Sequence, residues 1–328
     1  MRSGRPTPGP VMLCALGGLL LVAAGAAAQT YPVRPIRLIV PFPPGGPNDL
    51  LARLVGQLLH ESLGQQAIVD NRGGAGGAIG AEIAARSAPD GYTLLFGGPA
   101  VMSINPAMNP RLPYDPIRDF APVTIVATAP SVLVVHPTLA VKSVKDLIDA
   151  ARAAPGRINY ASAGVGTNPH LAGELFKFMA GVNLVHVPYK GAGPAMTDLL
   201  AGQVPVYFAG ISGAVPFLAE GRLRAIAVTG AARTALLPDT PTFAESGLPG
   251  YEVNNWYAVL APKATAPALV TTLNAAIVKG LGTPDMRRRI HDLGAQPAGS
   301  SPQALADTMR TEIAKWTKVI RAANIRPE

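Results

Sequence analysis

The chain has 328 residues, 48% of them hydrophobic and 15% charged, which is enough apolar material for a large core and excludes a disordered polypeptide. Its 35 glycines and 33 prolines indicate many turns, and no segment repeats at a fixed period. The formal net charge is +8, but the one dense basic run, 287–289, has no aromatic residues between its arginines, which argues against nucleic acid as a partner.

The first 28 residues have the pattern of an export signal. Arg2 and Arg5 precede an apolar segment, Val11–Ala24, and three alanines at 26–28 form a small-residue cleavage site. The apolar run is shorter than the roughly 20 residues that a membrane span needs, so we expect cleavage rather than anchoring. The mature chain then keeps 26 basic and 20 acidic residues, a net charge of about +6, and loses the only cysteine.

The mature chain alternates short β-branched runs with amphipathic helical runs, a pattern typical of α/β proteins whose parallel sheets are covered by helices. We predict a first series with strands at 36–42, 66–71 and 92–97 and helices at 49–64 and 78–88. A Pro-rich passage follows. We predict a second series with strands at 132–137, 158–162, 183–189, 204–210 and 223–230 and helices at 143–156, 169–181 and 195–202.

A late strand, 255–262, and three final helical stretches return the chain to the first series. Two α/β series with such a return predict two lobes joined by crossing segments. We therefore assign residues 29–132 and 253–328 to lobe 1 and residues 133–252 to lobe 2, and we expect the tail helices to pack on the first lobe.

The turn PFPPGGPND, Pro41–Asp49, follows the first strand and opens the first helix. Its prolines restrict the backbone, while Gly45 and Gly46 allow a ligand to approach it closely. The free N–H groups and the dipole of the helix favour an anion there, and we expect Asn48 or Asp49 to cap the helix. Because the turn has no Lys or Arg, backbone donors would hold the charge. A tight turn without a ligand is the alternative.

The stretch YASAGVGTNPHLAGELF, 160–176, repeats this arrangement in the second series. A strand leads into a loop of small residues with Gly164 and Gly166, the hydroxyls of Ser162 and Thr167, and a helix that begins near Asn168. Ligands of open α/β sheets bind outside the carboxyl ends of the strands, so the two turns can converge on one cleft. Such a cleft would bind a small molecule with a carboxylate at each end.

Other motifs do not have the spacing that their chemistry requires. The run GGAGGAIG, 73–80, lacks the register of a dinucleotide fingerprint, and no phosphate-binding loop or nucleophile elbow is present. The five histidines are scattered, without a zinc-binding pair. Ser162 with His170 could form a hydrolase pair, but a cap serine and a histidine near a ligand are the favoured interpretation. The sequence therefore predicts no cofactor and no metal.

Six motifs together resemble a known family. PFPPGGPNDLLAR, DNRGGAGGAIGAE, YASAGVGTNPHLAGELF, VPYKGAGPAMTDLLAGQV, LPDTPTFAESGLPGYE and WYAVLAP are similar, in order and spacing, to the extracytoplasmic solute receptors of tripartite tricarboxylate transporters, the Bug-type periplasmic binding proteins. The resemblance covers nearly the whole mature chain. It implies a two-lobe α/β periplasmic binding protein fold of type II, which closes over a carboxylated solute in the periplasm and delivers it to membrane permease subunits.

The resemblance also implies which residues bind the ligand. From the first turn these are Phe42, Gly45, Gly46, Asn48 and Asp49, from the second Ser162, Ala163, Gly164, Gly166, Thr167 and His170, and from a third loop Gly210. Many relatives have an alanine where this chain has Pro43 and a threonine where it has Asn48. Relatives also often have an Asp-Asn pair where this chain has Ala209 and Gly210, which argues against a ligand that carries an amine.

The resemblance implies a non-enzymatic monomer that binds a di- or tricarboxylate or an aromatic carboxylate. A secreted α/β hydrolase or lyase acting on a small carboxylated substrate is the alternative from another class of protein. A receptor that signals without transporting its ligand would have the same fold, and the sequence does not separate it from a transport receptor.

Overall fold

The computed structural model describes residues 1, 4, 31–109 and 111–325, so nearly all of the predicted export signal lies outside the described residues. The strands are β1 Ile36–Val40, β2 Ala67–Asn71, β3 Thr93–Gly97, β4 Phe120–Val135, β5 Asn159–Ser162, β6 Val185–Pro188, β7 Val206–Gly210, β8 Arg224–Val228, β9 Asn254–Pro262 and β10 Gln296–Pro297. The helices are α1 Pro47–Leu63, α2 Ala78–Ala85, α3 Asn105–Met108, α4 Val144–Ala153, α5 Asn168–Ala180, α6 Ala192–Leu200, α7 Ile211–Ala219, α8 Pro267–Leu281, α9 Pro284–Asp292 and α10 Pro302–Ala322. A 3-10 turn at Ala75–Gly77 precedes α2, and a π-helical turn at Ala100–Ile104 precedes α3.

The strands form one continuous sheet in the order β2-β1-β3-β9-β4-β7-β5-β6, with β8 and β10 also paired to β4. The pairs β1–β2 and β1–β3 are parallel, as are β5–β6 and β5–β7. Both parallel groups are joined to β4 and β9 by antiparallel pairs. Two parallel α/β series are therefore held together by two antiparallel strands, and residues from Pro32 onward form one compact unit.

Strand β4 belongs to both halves of the sheet. Its first part, 120–130, pairs with β9, and its last part, 131–135, pairs with β7. The prediction of a strand confined to 132–137 was therefore wrong. Pro122 and Pro130 favoured a loop, since proline cannot donate to a central ladder, but β4 tolerates Pro122 where its register against β9 shifts.

The prediction also missed α3, the π-helical turn and α7. The segment 99–113 contains several prolines, and α7 contains Pro216 in its interior, which argued against a helix in both places. Both segments are short and lie beside the sheet, where tertiary contacts outweigh the weak local preference.

Two of the large apolar clusters in the core are joined by one helix. One contains Tyr160, Phe176 and Phe208, and the other contains Leu95 and Trp256. Helix α10 contributes to both, because Leu305 and Met309 pack in the cluster with Trp256 whereas Trp316, Val319 and Ile320 pack in the cluster with Phe176. The tail was expected to pack on the first series, and α10 packs on the second series as well. Among the described residues, no helix has the length and hydropathy to cross a membrane.

Candidate functional site

A cavity of about 780 Å³ lies where turns of the two parallel series meet. The lining residues of the first series are Phe42, Asn48, Ala75, Gly76, Ala78, Ile79, Glu82, Pro99, Ala100, Ile104, Asn105, Met108, Asn109, Leu112 and Pro113, those of the second series are Val165, Gly166, Thr167 and Asn168, and Asn255 comes from β9. The predicted convergence of the two turns on one cleft is thus present in the described residues.

Three of the helices that follow a strand begin at this cavity. The first turns of α1, α2 and α5 contribute Asn48, Ala78 and Asn168 to its lining. None of their N-cap residues, which are Gly46, Gly77 and Thr167, caps its helix with a side chain. The N-terminal N–H groups of a helix carry partial positive charge, so uncapped helices that face a cavity provide donors for an anion.

Three helices elsewhere in the described chain are capped by side chains. The hydroxyl of Ser143 accepts from the Asp146 N–H at the start of α4, and Thr283 and Ser301 do the same for α9 and α10. The N-termini of α6, α7 and α8 also lack a side-chain cap, so what distinguishes α1, α2 and α5 is that their uncapped ends contribute to the cavity lining.

In the first turn, Gly45 has φ +87° and donates its N–H to Asp49 Oδ2 at 3.0 Å. Helix α1 begins at Pro47 with Gly46 as N-cap, so the prediction that Asn48 or Asp49 caps it was wrong. Asp49 is buried and receives two hydrogen bonds from Arg53. Burial alone would raise the pKa of Asp49, but the hydrogen bonds from Arg53 and Gly45 hold it below its ordinary value.

The carboxylate of Asp49 therefore stabilises the turn through its hydrogen bond with the Gly45 N–H, and Asp49 is not a lining residue of the cavity. Within the described part of the chain, the N–H groups of Gly46, Asn48 and Asp49 have no acceptor. Phe42 and Asn48 line the cavity directly, whereas Gly45 and Gly46 lie next to it. The first turn thus combines free donors with a fixed backbone.

In the second turn, Gly166 has φ +74° and donates its N–H to His170 Nδ1 at 3.0 Å. Helix α5 begins at Asn168, as predicted, and the N–H groups of Asn168 and His170 have no acceptor in the described residues. The hydroxyl of Thr167 donates to the Gly164 carbonyl at 2.6 Å, so it closes the loop. Gly166 and Thr167 line the cavity, and His170 lies behind them.

The partner of Ser162 is His186 and not His170. Ser162 Oγ lies 2.6 Å from His186 Nε2 and also accepts from the Gly164 N–H. Ser162 is fully buried, and neither it nor Ala163 nor Gly164 is in the cavity lining. The hydrolase pair weighed from the sequence therefore does not form, and the Ser162–His186 pair lies out of reach of a substrate in the cavity.

The sequence prediction missed the wall to which residues 99–109 and 111–113 contribute. Asn105 Nδ2 donates to the Gly76 carbonyl at 2.9 Å, which ties this wall to the start of α2. Met108 lies against Gly166, since a Cβ at Gly166 would be 3.4 Å from Met108 Sδ. The glycine run at 73–80 was weighed as a dinucleotide motif and as part of a family motif, although its position between a strand and a helix was also a signal for a third turn at the cavity.

The third predicted loop does not reach the cavity, since Gly210 is exposed and is not a lining residue. The only charged side chain in the lining is Glu82, whose carboxylate is paired with Arg86 at 2.7 Å. No Lys or Arg is among the lining residues, so backbone N–H groups and neutral amides would have to bind an anion. Among the described residues no cluster of three or more His, Cys, Asp or Glu could hold a metal ion.

The chain is similar to known proteins over most of its length. The model of the family described as "Tripartite tricarboxylate transporter family receptor" matches residues 51–325. A UPF0065 protein from the tcbD-tcbE intergenic region of Pseudomonas sp. (strain P51) is 43% identical over 306 residues, covering 92% of this chain and 91% of that protein. The protein BugT of Bordetella pertussis is 38% identical over 314 residues, covering 94% of this chain and 96% of BugT.

Solved structures show the same fold. Rpa4515 of R. palustris with adipate is 40% identical with a TM-score of 0.74, covering 91% of this chain and 100% of that chain. The periplasmic binding protein BugD is 34% identical with a TM-score of 0.71, and the match covers 91% of this chain and 100% of the BugD chain. MatC of Rhodopseudomonas palustris with bound malate is 35% identical with a TM-score of 0.71, and the match covers 88% of this chain and 100% of the MatC chain. The predicted α/β periplasmic binding protein fold is confirmed.

Proposed function

Because the chain belongs to the tripartite tricarboxylate transporter receptor family, we propose that it is a periplasmic receptor that captures a small carboxylate and delivers it to membrane permease subunits. The observation that carries the proposal is the set of uncapped helix N-termini at the cavity, with free N–H groups in both turns. A carboxylate accepts such hydrogen bonds without a counter-ion. Relatives solved with adipate and malate support the same class of ligand.

The experiment is a binding screen on the mature protein. Protein refolded from denaturant to remove bound ligand is mixed with adipate, malate, citrate, benzoate and, as a control, the uncharged amide adipamide. A ligand at a hundred times its dissociation constant stabilises the fold by about 2.7 kcal/mol, so the matching carboxylate raises the melting temperature and adipamide does not. A flat response to all four acids, confirmed by titration calorimetry, contradicts the proposal.

The two halves of the sheet are proposed to act as two lobes, with residues 29–132 and 253–328 in one and residues 133–252 in the other. The two segments that pass between them are β4, near Pro130, and the connection before β9. Ligand contacts with both turns favour the closed arrangement. We expect a smaller radius of gyration by X-ray scattering with bound ligand, and an unchanged radius at saturation contradicts the lobe assignment.

The proposal also covers where the protein acts, its oligomeric state and the fate of its ligand. Removal of residues 1–28 releases a monomer into the periplasm, where it returns its ligand unchanged. The burial of Ser162 supports a receptor over a hydrolase, because a nucleophile must reach its substrate. Mass spectrometry of the ligand recovered after incubation tests this, since an intact acid is expected and a cleaved product supports the alternative.

A further inference from the structure

Two histidines are stacked behind the second turn, and only one of them is part of the turn. The rings of His170 and His186 have centroids 3.9 Å apart and lie within 13° of parallel. His170 accepts the Gly166 N–H through Nδ1, while His186 lies on β6, an edge strand of the sheet. His186 is not a lining residue of the cavity, so it would act on a ligand only through its neighbours.

His186 is itself held on two sides. Its Nε2 atom lies 2.6 Å from Ser162 Oγ, and its ring stacks on Tyr160 at 5.1 Å. Tyr160 faces it because the two residues are register partners on parallel β5 and β6. The Tyr160 hydroxyl donates to Glu174 at 2.6 Å, and Glu174 also accepts from Lys177 at 2.7 Å.

His186 thus has two separate connections to the second turn. Through the Ser162 hydroxyl, which accepts the Gly164 N–H, it fixes the start of the loop. Through ring stacking it fixes the plane of His170 and thereby the hydrogen bond from the Gly166 N–H. The loop between these two anchors leads directly into Asn168, whose N–H has no acceptor.

We propose that His186 is a positioning residue for ligand recognition, which orients the second turn through Ser162 and His170 without touching the ligand. The inference rests on the proposed function and extends it to a residue outside the cavity. The arrangement needs a neutral His170, since a protonated Nδ1 cannot accept the Gly166 N–H. Burial, with the charge of Lys177 as the second cause, lowers the pKa of His170 to about 4, so the ring is neutral at pH 7.

Two substitutions separate the two connections. His186→Phe keeps a ring to stack on His170 and loses the partner of Ser162, whereas His186→Gln keeps an amide for Ser162 and loses the ring. Residue-resolved amide hydrogen exchange of the ligand-free protein then measures both anchors. We expect His186→Phe to speed exchange mainly at Gly164 and His186→Gln mainly at Gly166, each by about tenfold.

His136→Gln is the matched control. His136 is also partly buried and hydrogen-bonded, to Thr138, but it follows the end of β4 that pairs with the start of β7, away from the carboxyl end of β5. Exchange at both glycines should stay unchanged in this variant. Equal acceleration at both glycines in both His186 variants indicates general loosening and overturns the proposal, as does wild-type exchange at both.

Affinity for adipate is the second measurement, with malate as the second probe. Each His186 substitution is expected to raise the dissociation constant about five- to tenfold, as for the loss of one net hydrogen bond, while His136→Gln leaves it unchanged. Wild-type affinity in both His186 variants overturns the proposal. If the wild-type protein binds neither acid, the proposed function fails for these ligands, and the crossed exchange pattern alone then decides whether His186 positions the turn.

Discussion

The two turns at the cavity have the same backbone design but different chemistry. In each, a glycine with positive φ donates its N–H to the side chain four residues later, which is the third residue of the helix. That side chain is the carboxylate of Asp49 in the first turn and the imidazole of His170 in the second. A similar hydrogen-bond geometry is therefore reached with a charged acceptor in one turn and a neutral one in the other.

The difference matters for an anion. Asp49 places a negative charge at the N-terminus of α1, where it opposes a carboxylate ligand, and Arg53 compensates for it at 3.0 Å. His170 adds no charge at the N-terminus of α5 near neutral pH, because burial lowers its pKa to about 4. Either group can fix the turn, but only the neutral imidazole leaves the partial positive charge at the helix N-terminus undiminished.

The largest effect on ligand affinity is expected from Gly166→Val, which should disrupt the backbone of the second turn and its hydrogen bond to His170. The residue has φ +74°, which costs an L-residue about 1–2 kcal/mol, and its new side chain would meet Met108. We expect a loss of carboxylate affinity of at least about tenfold, measured by calorimetry. Gly181→Val at the other end of α5 is the control, because it has φ +63° and open space around it. Equal affinity in both variants would show that the turn does not bind the ligand.

The second-largest effect is expected from low pH, because the histidines of the second turn and Asp49 of the first turn should lose their contributions to stability in different pH ranges. Burial lowers the pKa of both His170 and His186 to about 4 from an ordinary value of 6.5, in surroundings that include Tyr160, Glu174 and Lys177. Between pH 6.5 and 4 the unfolded chain therefore binds protons that the folded chain does not, so the free energy of unfolding falls as the pH falls.

His170 alone should lower the free energy of unfolding by about 3 kcal/mol across that window, because one pKa unit corresponds to about 1.4 kcal/mol. The partly exposed His186 should add a smaller amount, and thermal unfolding measures the total. In His170→Gln the fall should be smaller. The pKa of Asp49 is lowered from 3.8, so its contribution is fully present above pH 3.8 and is lost only at lower pH. A transition that is as steep in His170→Gln as in the wild type would contradict the assignment to the stacked pair.

Asp49→Asn should make the first turn resemble the second. The asparagine oxygen can still accept the Gly45 N–H, but the negative charge is gone and the Arg53 charge remains. We expect the protein to lose about 1 kcal/mol of stability, because Arg53 is largely exposed, and to bind carboxylate about two- to fivefold more tightly. Calorimetry and thermal unfolding measure the two effects, and Arg53→Gln, which removes the compensating charge, should weaken binding instead. Weaker binding by Asp49→Asn itself would contradict this account.

Thr167→Ala should have the smallest effect on binding. Its hydroxyl donates to the Gly164 carbonyl and was expected from the sequence to donate to the ligand, so its loss should cost about 0.5–1 kcal/mol of stability and less than a twofold change in affinity. Thr283→Ala, which removes the cap of α9 far along the chain, is the matched control for stability alone. A large loss of affinity for Thr167→Ala would show that the hydroxyl binds the ligand directly.

The alternation of strands and helices, the place of both turns and the start of α5 at Asn168 could all be predicted from the amino-acid sequence. These features depend on local periodicity and on small residues between a strand and a helix, which act within a few residues. The sequence did not distinguish Gly45 from Gly46. Only the structure shows that Gly45 has positive φ, whereas Gly46 has φ −84° and open space around its Cα.

Contacts between side chains that are distant in the sequence depend on how the strands and helices pack. Ser162 pairs with His186, 24 residues away, because parallel β5 and β6 are neighbours in register, and Met108 reaches Gly166 because α3 packs beside the second turn. Strand β4 extends through two prolines because β9 and β7 supply its partners. Such contacts depend on sheet order and helix packing, which bring distant residues together, so no local pattern in the sequence could specify them.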